Sequence, residues 1–126
     1  MNFKKIITGL LLSLLLGSGV AVAADFSVGL QAAQSGDFKT ALAEWTPLAE
    51  QGLAIAQSNL GFMHARGSGV LTDNRRVYMW WNLASYNGYE NAGEYKNNIA
   101  KQMTPADISK AQDMSSRCLE SNYTDC

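Results

Sequence analysis

From Phe38 onward the apolar residues recur at helical spacing. Phe38, Ala41, Leu42, Trp45, Leu48 and Ala49 fall at i, i+3, i+4, i+7, i+10 and i+11, which is one face of a helix. Asp37 supplies its N-cap and Gly52 its stop. Pro47 lies inside it and lacks the N–H for one backbone bond, which predicts a bend or a weakened helix. Ala56, Leu60 and Met63 mark the next helix, which stops at Gly67. Asp73 caps a third stretch in which Val77, Trp80, Trp81 and Ala84 share a face, and Gly88 ends it. Ala92, Tyr95, Ile99 and Met103 continue at spacings of 3, 4 and 4. The last helix has the clearest start. Thr104 is its N-cap, Pro105 takes the first helical position, and Asp107 places a carboxylate where the helix dipole favours one. Ile108, Ala111, Ser115, Cys118 and Leu119 line its inner face. A weaker helix over Phe26–Gln34 precedes Ser35 and Gly36. The pattern predicts six helices in three antiparallel hairpins, with no strand.

The pattern also repeats. Asp37, Ala41, Trp45, Gly52 and Ala56 return as Asp73, Val77, Trp81, Gly88 and Ala92, each 36 positions later. A fixed period of this length marks stacked supersecondary units, which present surfaces more often than they perform chemistry. Small residues (Ala41, Ala56, Ala84, Ala92, Gly52, Gly61 and Gly88) let helix axes approach closely, while Trp45, Trp80 and Leu60 fill the space alongside. The expected architecture is therefore an α/α solenoid of antiparallel helix hairpins. The turn over residues 67–72 contains two glycines suited to a helix stop and reversal, with Val70 and Leu71 expected to tuck down as a plug. It lacks the Gly-Lys-Ser/Thr ending of a phosphate-binding loop and follows no strand.

The N-terminus changes the picture of where the protein works. Lys4 and Lys5 precede an apolar run over residues 6–16, and Ala21-Val22-Ala23 offers small residues for cleavage. This is the layout of a signal peptide, residues 1–24, cut after Ala23 or Ala24. The run is shorter than the about 20 apolar residues of a membrane span. Secretion is expected, to the periplasm if the source is Gram-negative, with no stable membrane insertion after processing. Past Ala24 the chain holds eleven acidic and eight basic residues with no basic block, which disfavours nucleic acid as a partner. The single pair of cysteines, Cys118 and Cys126, is expected to form a disulfide that pins the tail, residues 122–126. The pair lacks CxxC spacing and His64 is far away in sequence, which argues against a metal or redox pair.

Candidate chemistry is sparse. His64, the one histidine, follows an inward position and is expected on a groove flank or near the surface. No GxSxG, SxxK or HExxH is present, so no nucleophile is paired with a base by motif. Glu90 and Glu94 read as a solvated helix face, and Asn122-Tyr123-Thr124 as a chance glycosylation sequon. The expectation is a non-catalytic protein without cofactor or metal.

The stretch AQSNLGFMHARGSGVLTDNRRVYMWWNLASYNG, residues 56–88, resembles the Sel-one-like repeat family, relatives of the tetratricopeptide repeats. Leu60 and Gly61 fill its LG positions, Gly67, Gly69 and Val70 its GxGV, and Asp73, Trp80, Ala84 and Gly88 the positions after it. Met63 stands in an aromatic position, Leu71 where Pro is common and Val77 where Ala is usual. GDFKTALAEWTPLAEQGLAIA looks like half of another repeat, and the segment from MTPADISKAQ to the final CxxxxYxxC resembles the cap of small secreted bacterial members. The resemblance implies a helical solenoid that contacts other proteins, often as an adaptor. Some disulfide-rich relatives are linked to β-lactam binding or hydrolysis, but their cysteine pairs recur in every repeat. That reading, and an envelope protein that self-associates through an exposed end face, are the alternatives to an adaptor.

The aromatic residues suggest where a protein or peptide partner would bind. Tyr78, Trp80, Trp81, Tyr86 and Tyr89 crowd one helix and its end, with the two tryptophans expected in the core. Tyr78, Asn82, Ser85 and Tyr86 fall off the core stripe. Together with Asn59 and Phe62 of the preceding helix they are expected to form a shallow concave face.

Overall fold

Asp25, Asp37, Asp73 and Thr104 each start a helix by accepting a main-chain N–H bond on the side chain, from Ser27 and Val28, Thr40, Arg75 and Asp107 respectively. Each such cap satisfies a donor that the first turn leaves without a partner. The computed structural model describes residues 23–126, so residues 1–22, most of the expected signal peptide, lie outside the described residues. The described residues are all-helical: α1 (Phe26–Gln34), α2 (Phe38–Ala49), α3 (Ala54–Arg66), α4 (Asn74–Tyr86), α5 (Ala92–Ala100) and α6 (Pro105–Glu120).

Five of the six helix ends share one closure, all but that of α5. A 6→1 main-chain bond runs from Asp37 to Ala32, from Leu53 to Leu48, from Ser68 to Met63, from Tyr89 to Ala84 and from Tyr123 to Cys118. The residue before each of these donors has positive φ. It is Gly67 (φ 68°) after α3, where the left-handed conformation favours glycine, and Asn122 (φ 53°) after α6. Gly52 and Gly88 occupy the same turn position at φ 86° and 97°, so they reverse the chain instead of bringing helix axes together.

Consecutive helices pack from α1 through α5, and α6 then returns to pack on α4, not chiefly on α5. Helix α4 is the centre of the molecule, with Val77, Tyr78, Met79, Trp80, Trp81, Leu83 and Ala84 all buried. Neighbours on several sides explain why Tyr78, expected off the core stripe, is only 6% exposed: α6 covers that flank.

One packing device occurs twice. The Trp45 indole sits in the space a Cβ at Gly29 would need, and Trp81 does the same at Gly61. In both places the indole N–H donates to the carbonyl three residues before the glycine, Phe26 at 3.2 Å and Ser58 at 3.1 Å. Each indole also meets an aromatic ring of the facing helix, Phe26 at 5.7 Å and Phe62 at 5.1 Å between centroids. The glycine admits the ring, and the exposed carbonyl pairs a buried N–H that would otherwise be orphaned.

Helix α2 runs through Pro47 to Ala49, the lost bond falling in its last turn. Two local expectations change. Helix α5 stops at Ala100, where tight bonds from Gln102 to Ile99 and from Met103 to Ala100 wind the chain toward the Thr104 cap. In the glycine turn Val70 packs against the core, but Leu71 is 90% exposed. Leu71 projects because only its neighbour faces the hairpin.

Candidate partner-binding groove

The repeat-signature residues are structural. Leu60 is buried, Gly61 underlies Trp81, Trp80 and Ala84 are core, and Asp73 and Gly67 cap their helices. Gly69 (φ 72°) lies so close to Phe38 that a Cβ would come within 2.9 Å of it. Gly88 reverses the chain after α4, and Val70 holds the glycine turn against α2 and its neighbours.

A groove opens where α1 and α2 face α3. Its volume is about 350 Å³, and its walls are Ala33 and Gln34 from α1, Phe38 and Trp45 from α2, Asn59, Phe62, Met63 and Arg66 from α3, and Ser68 from the turn. That volume is at the small end of the roughly 300–1,000 Å³ of ligand hollows. The floor is aromatic and thioether; the rim is amide, hydroxyl and guanidinium. Arg66 is the one charged side chain among these residues, and its guanidinium carbon stands 5.4 Å from the Phe62 ring centre. This is a cation–π distance that keeps the cation at the groove edge.

The floor is held in place from below. Trp45 is fixed by its bond to Phe26 and by Gly29, and Phe62 packs edge-on against Trp81 and Tyr95, both at 5.1 Å. Beyond Phe62 a second hollow of about 210 Å³ is lined by Trp81, Tyr95, Asn98, Ile99 and Gln102. Phe62 therefore stands between two hollows, with the first helices of successive pairs supplying most of their walls.

Of the six residues expected to form one face, the structure brings two to the groove. Asn59 and Phe62 line it. Tyr78 is buried on another flank of α4, where Gln112 Nε2 donates to its hydroxyl at 3.3 Å and the Lys96 ammonium lies 5.7 Å from its ring. Asn82 accepts from Lys96 at 3.4 Å, and Ser85 faces Gly93 of α5. Tyr86 is 73% exposed but lines neither hollow. Tyr78, Asn82 and Ser85 meet α5 and α6 instead, which pack against that flank of α4. Phe38, Trp45, Met63 and Arg66 were missed as groove residues. The available signal was the 36-residue echo itself, which places Trp45 in the first unit where Trp81 stands in the second.

His64 is half-buried near the start of α4, and its Nδ1 is buried without a hydrogen-bond partner. Burial, helped by the charge of Arg76, pushes its pKa below the ordinary 6.5, against the opposing pull of the Leu71 main chain and the charge of Asp73. The shift favours the neutral imidazole over the charged one there.

Cys118 and Cys126 are joined as a disulfide, their Cα atoms 4.6 Å apart. The tail it closes reaches a buried polar chain. Gln57 Nε2 donates to the Ala49 carbonyl at 3.0 Å, Asn87 Nδ2 donates to Gln57 Oε1 at 3.0 Å, and Tyr123 Oη lies 2.9 Å from Asn87 Nδ2. Four segments are tied at one point by this chain. Among the described residues no helix is long and apolar enough to cross a membrane. No family model, characterised protein or solved structure matches the chain.

Proposed function

We propose that the protein is a secreted, non-catalytic helical-repeat adaptor of the Sel-one-like kind, and that it holds a segment of a partner protein in the groove between α1, α2 and α3. The observation that carries this reading is the groove's make-up. Its apolar floor of Phe38, Trp45, Phe62 and Met63 can take a bulky apolar side chain, and Gln34, Asn59 and Ser68 stand where a peptide main chain needs partners. Arg66 favours a segment that is neutral or acidic beside that side chain. The recurrence of the tryptophan-on-glycine contact supports a stack of like units, and a floor preorganised in this way lowers the cost of binding. Secretion rests on the leader-like N-terminal sequence, and the disulfide fits an oxidising compartment.

The test is capture from an extract of the secreted compartment on immobilised protein, against an Asn59→Ala/Phe62→Ala variant and a Tyr86→Ala control. A partner held by the wild type and the control but lost on the groove variant supports the reading. Equal retention on all three would defeat it. Leu71, 90% exposed on the glycine turn, favours self-association as a second reading. Sedimentation of the wild type and Leu71→Ser across concentration separates the two.

A further inference from the structure

Arg76, Trp80, Leu83 and Asn87 stand at i, i+4, i+7 and i+11 on α4 and so share one face of the helix. Both ends of that face are bonded to the tail. Arg76 Nη1 donates to the main-chain oxygen of Cys126 at 3.3 Å, and the Asn87 amide meets Tyr123 Oη at 2.9 Å. Between these bonds, Tyr123 and Cys126 pack on the cluster that holds Trp80 and Leu83. The tail thus lies along α4 as a strap. Trp80 Nε1, within the same cluster, is buried with no hydrogen-bond partner.

The strap is weakly anchored apart from its covalent bond. Three side-chain bonds, one from Arg76 and two between Asn87 and Tyr123, join it to α4, and its other hydrogen bonds run back to its own helix end: Tyr123 to Cys118, Thr124 to Ser121 and Asp125 to Ser121. Two successive residues without glycine's freedom, Asn122 and Tyr123, are held at positive φ (53° and 65°). Left-handed backbone at such residues persists only where surrounding contacts enforce it.

We propose that the Cys118–Cys126 disulfide is a latch, and that its reduction frees residues 122–126 from α4 and uncovers a second apolar face around Trp80 and Leu83. The reductant is a dithiol, such as the reduced form of a thiol–disulfide exchange protein. One of its thiolates attacks a sulfur of the pair to give a mixed disulfide. Its second thiol then displaces the remaining sulfur. Two electrons and two protons pass to Cys118 and Cys126, which become thiols, and the dithiol becomes a disulfide. The uncovered face is set about 100° around α4 from Val77, Trp81 and Ala84, which face the other aromatic cluster. None of the tail residues lines the groove, although its Phe38, Trp45 and Met63 pack in the same cluster as Trp80 and Leu83, and on release the unsatisfied Trp80 N–H becomes available to an acceptor.

The test is hydrogen exchange by mass spectrometry on the full protein, oxidised and then reduced with dithiothreitol, with a Cys118→Ser/Cys126→Ser variant as a reductant-free equivalent. The latch predicts at least tenfold faster exchange for the amides of Tyr123 and Asp125 on reduction, with α1 to α3 quickened by no more than the fall in global stability accounts for. It also predicts stronger quenching of Trp80 fluorescence by acrylamide in a Trp45→Phe/Trp81→Phe background whose oxidised form is shown to be folded. If the tail stays equally protected when reduced, its non-covalent contacts suffice and the proposal falls. Exchange in α1 to α3 that quickens beyond that fall in stability would make the bond a general staple and overturn it too.

Discussion

Trp81 fills the space that a side chain at Gly61 would occupy, and it donates its indole N–H to Ser58, one turn earlier on the same helix. The contact sets how near α3 and α4 approach. Gly61→Ala forces the ring away and strips a buried N–H of its acceptor. Overpacking of this kind costs about 1–3 kcal/mol, and a buried unpaired donor about 1–3 kcal/mol more. Urea denaturation of Gly61→Ala should show this loss. Gly29→Ala should show a similar but smaller one, because the Trp45 bond is only partly buried.

The tail and the polar chain beneath it should be energetically coupled. Tyr123→Phe removes one partner of Asn87 and is expected to cost about 0.5–1.5 kcal/mol. Gln57→Leu removes two bonds, one to the Ala49 carbonyl and one from the Asn87 amide, and should cost more. A double-mutant cycle between the two, read by chemical denaturation, should give a non-zero interaction energy, since both side chains bond to Asn87.

Removing the disulfide has a calculable effect on the unfolded chain. Cys118→Ser/Cys126→Ser opens a loop of eight-residue separation and is expected to lower stability by about 2–3 kcal/mol. Comparing urea midpoints of the variant and the oxidised protein checks it.

His64 gives the protein an acid-side sensitivity. Its pKa is lowered in the fold by burial first and by Arg76 second, so the unfolded chain takes up a proton more readily than the native one. The stability that depends on neutral His64 is fully present above the ordinary value of 6.5 and is lost as pH falls below it through the native value. Melting temperatures between pH 7.5 and 5 should therefore decline, and the decline should be shallower in His64→Gln.

The glycine turn separates its two apolar residues cleanly. Leu71→Ser touches nothing buried and should change stability by no more than about 0.5 kcal/mol. Val70→Ser should destabilise more, because Val70 packs on the core cluster. Thermal melts of the pair distinguish the roles.

Helix positions were readable because caps and stops are local: Asp37, Asp73 and Thr104 each announce a helix, and Gly67 ends one where expected. The groove was only half readable. Asn59 and Phe62 line it, yet Tyr78 does not, since a stripe drawn on α4 alone cannot register that α6 doubles back to cover a further side. Gly29 escaped notice for a related reason. The tryptophans recur 36 residues apart but their glycines 32 apart, because the turn between α3 and α4 is longer, so a search at one period misses the pairing. Turn lengths vary freely while contacts between helices are kept, and only the latter follow the packing.

The two tryptophan bonds span 19 and 23 residues, while Arg76 reaches 50 residues ahead to Cys126. Closing a loop costs more chain entropy as it lengthens, and contacts near in sequence form fastest. These separations predict an order of folding: each tryptophan zips its own helix pair early, and the tail arrives last on a surface already formed. A chain emerging N-terminus first can thus organise α1 and α2 before its cysteines exist, and the groove's first wall stands before the molecule has closed.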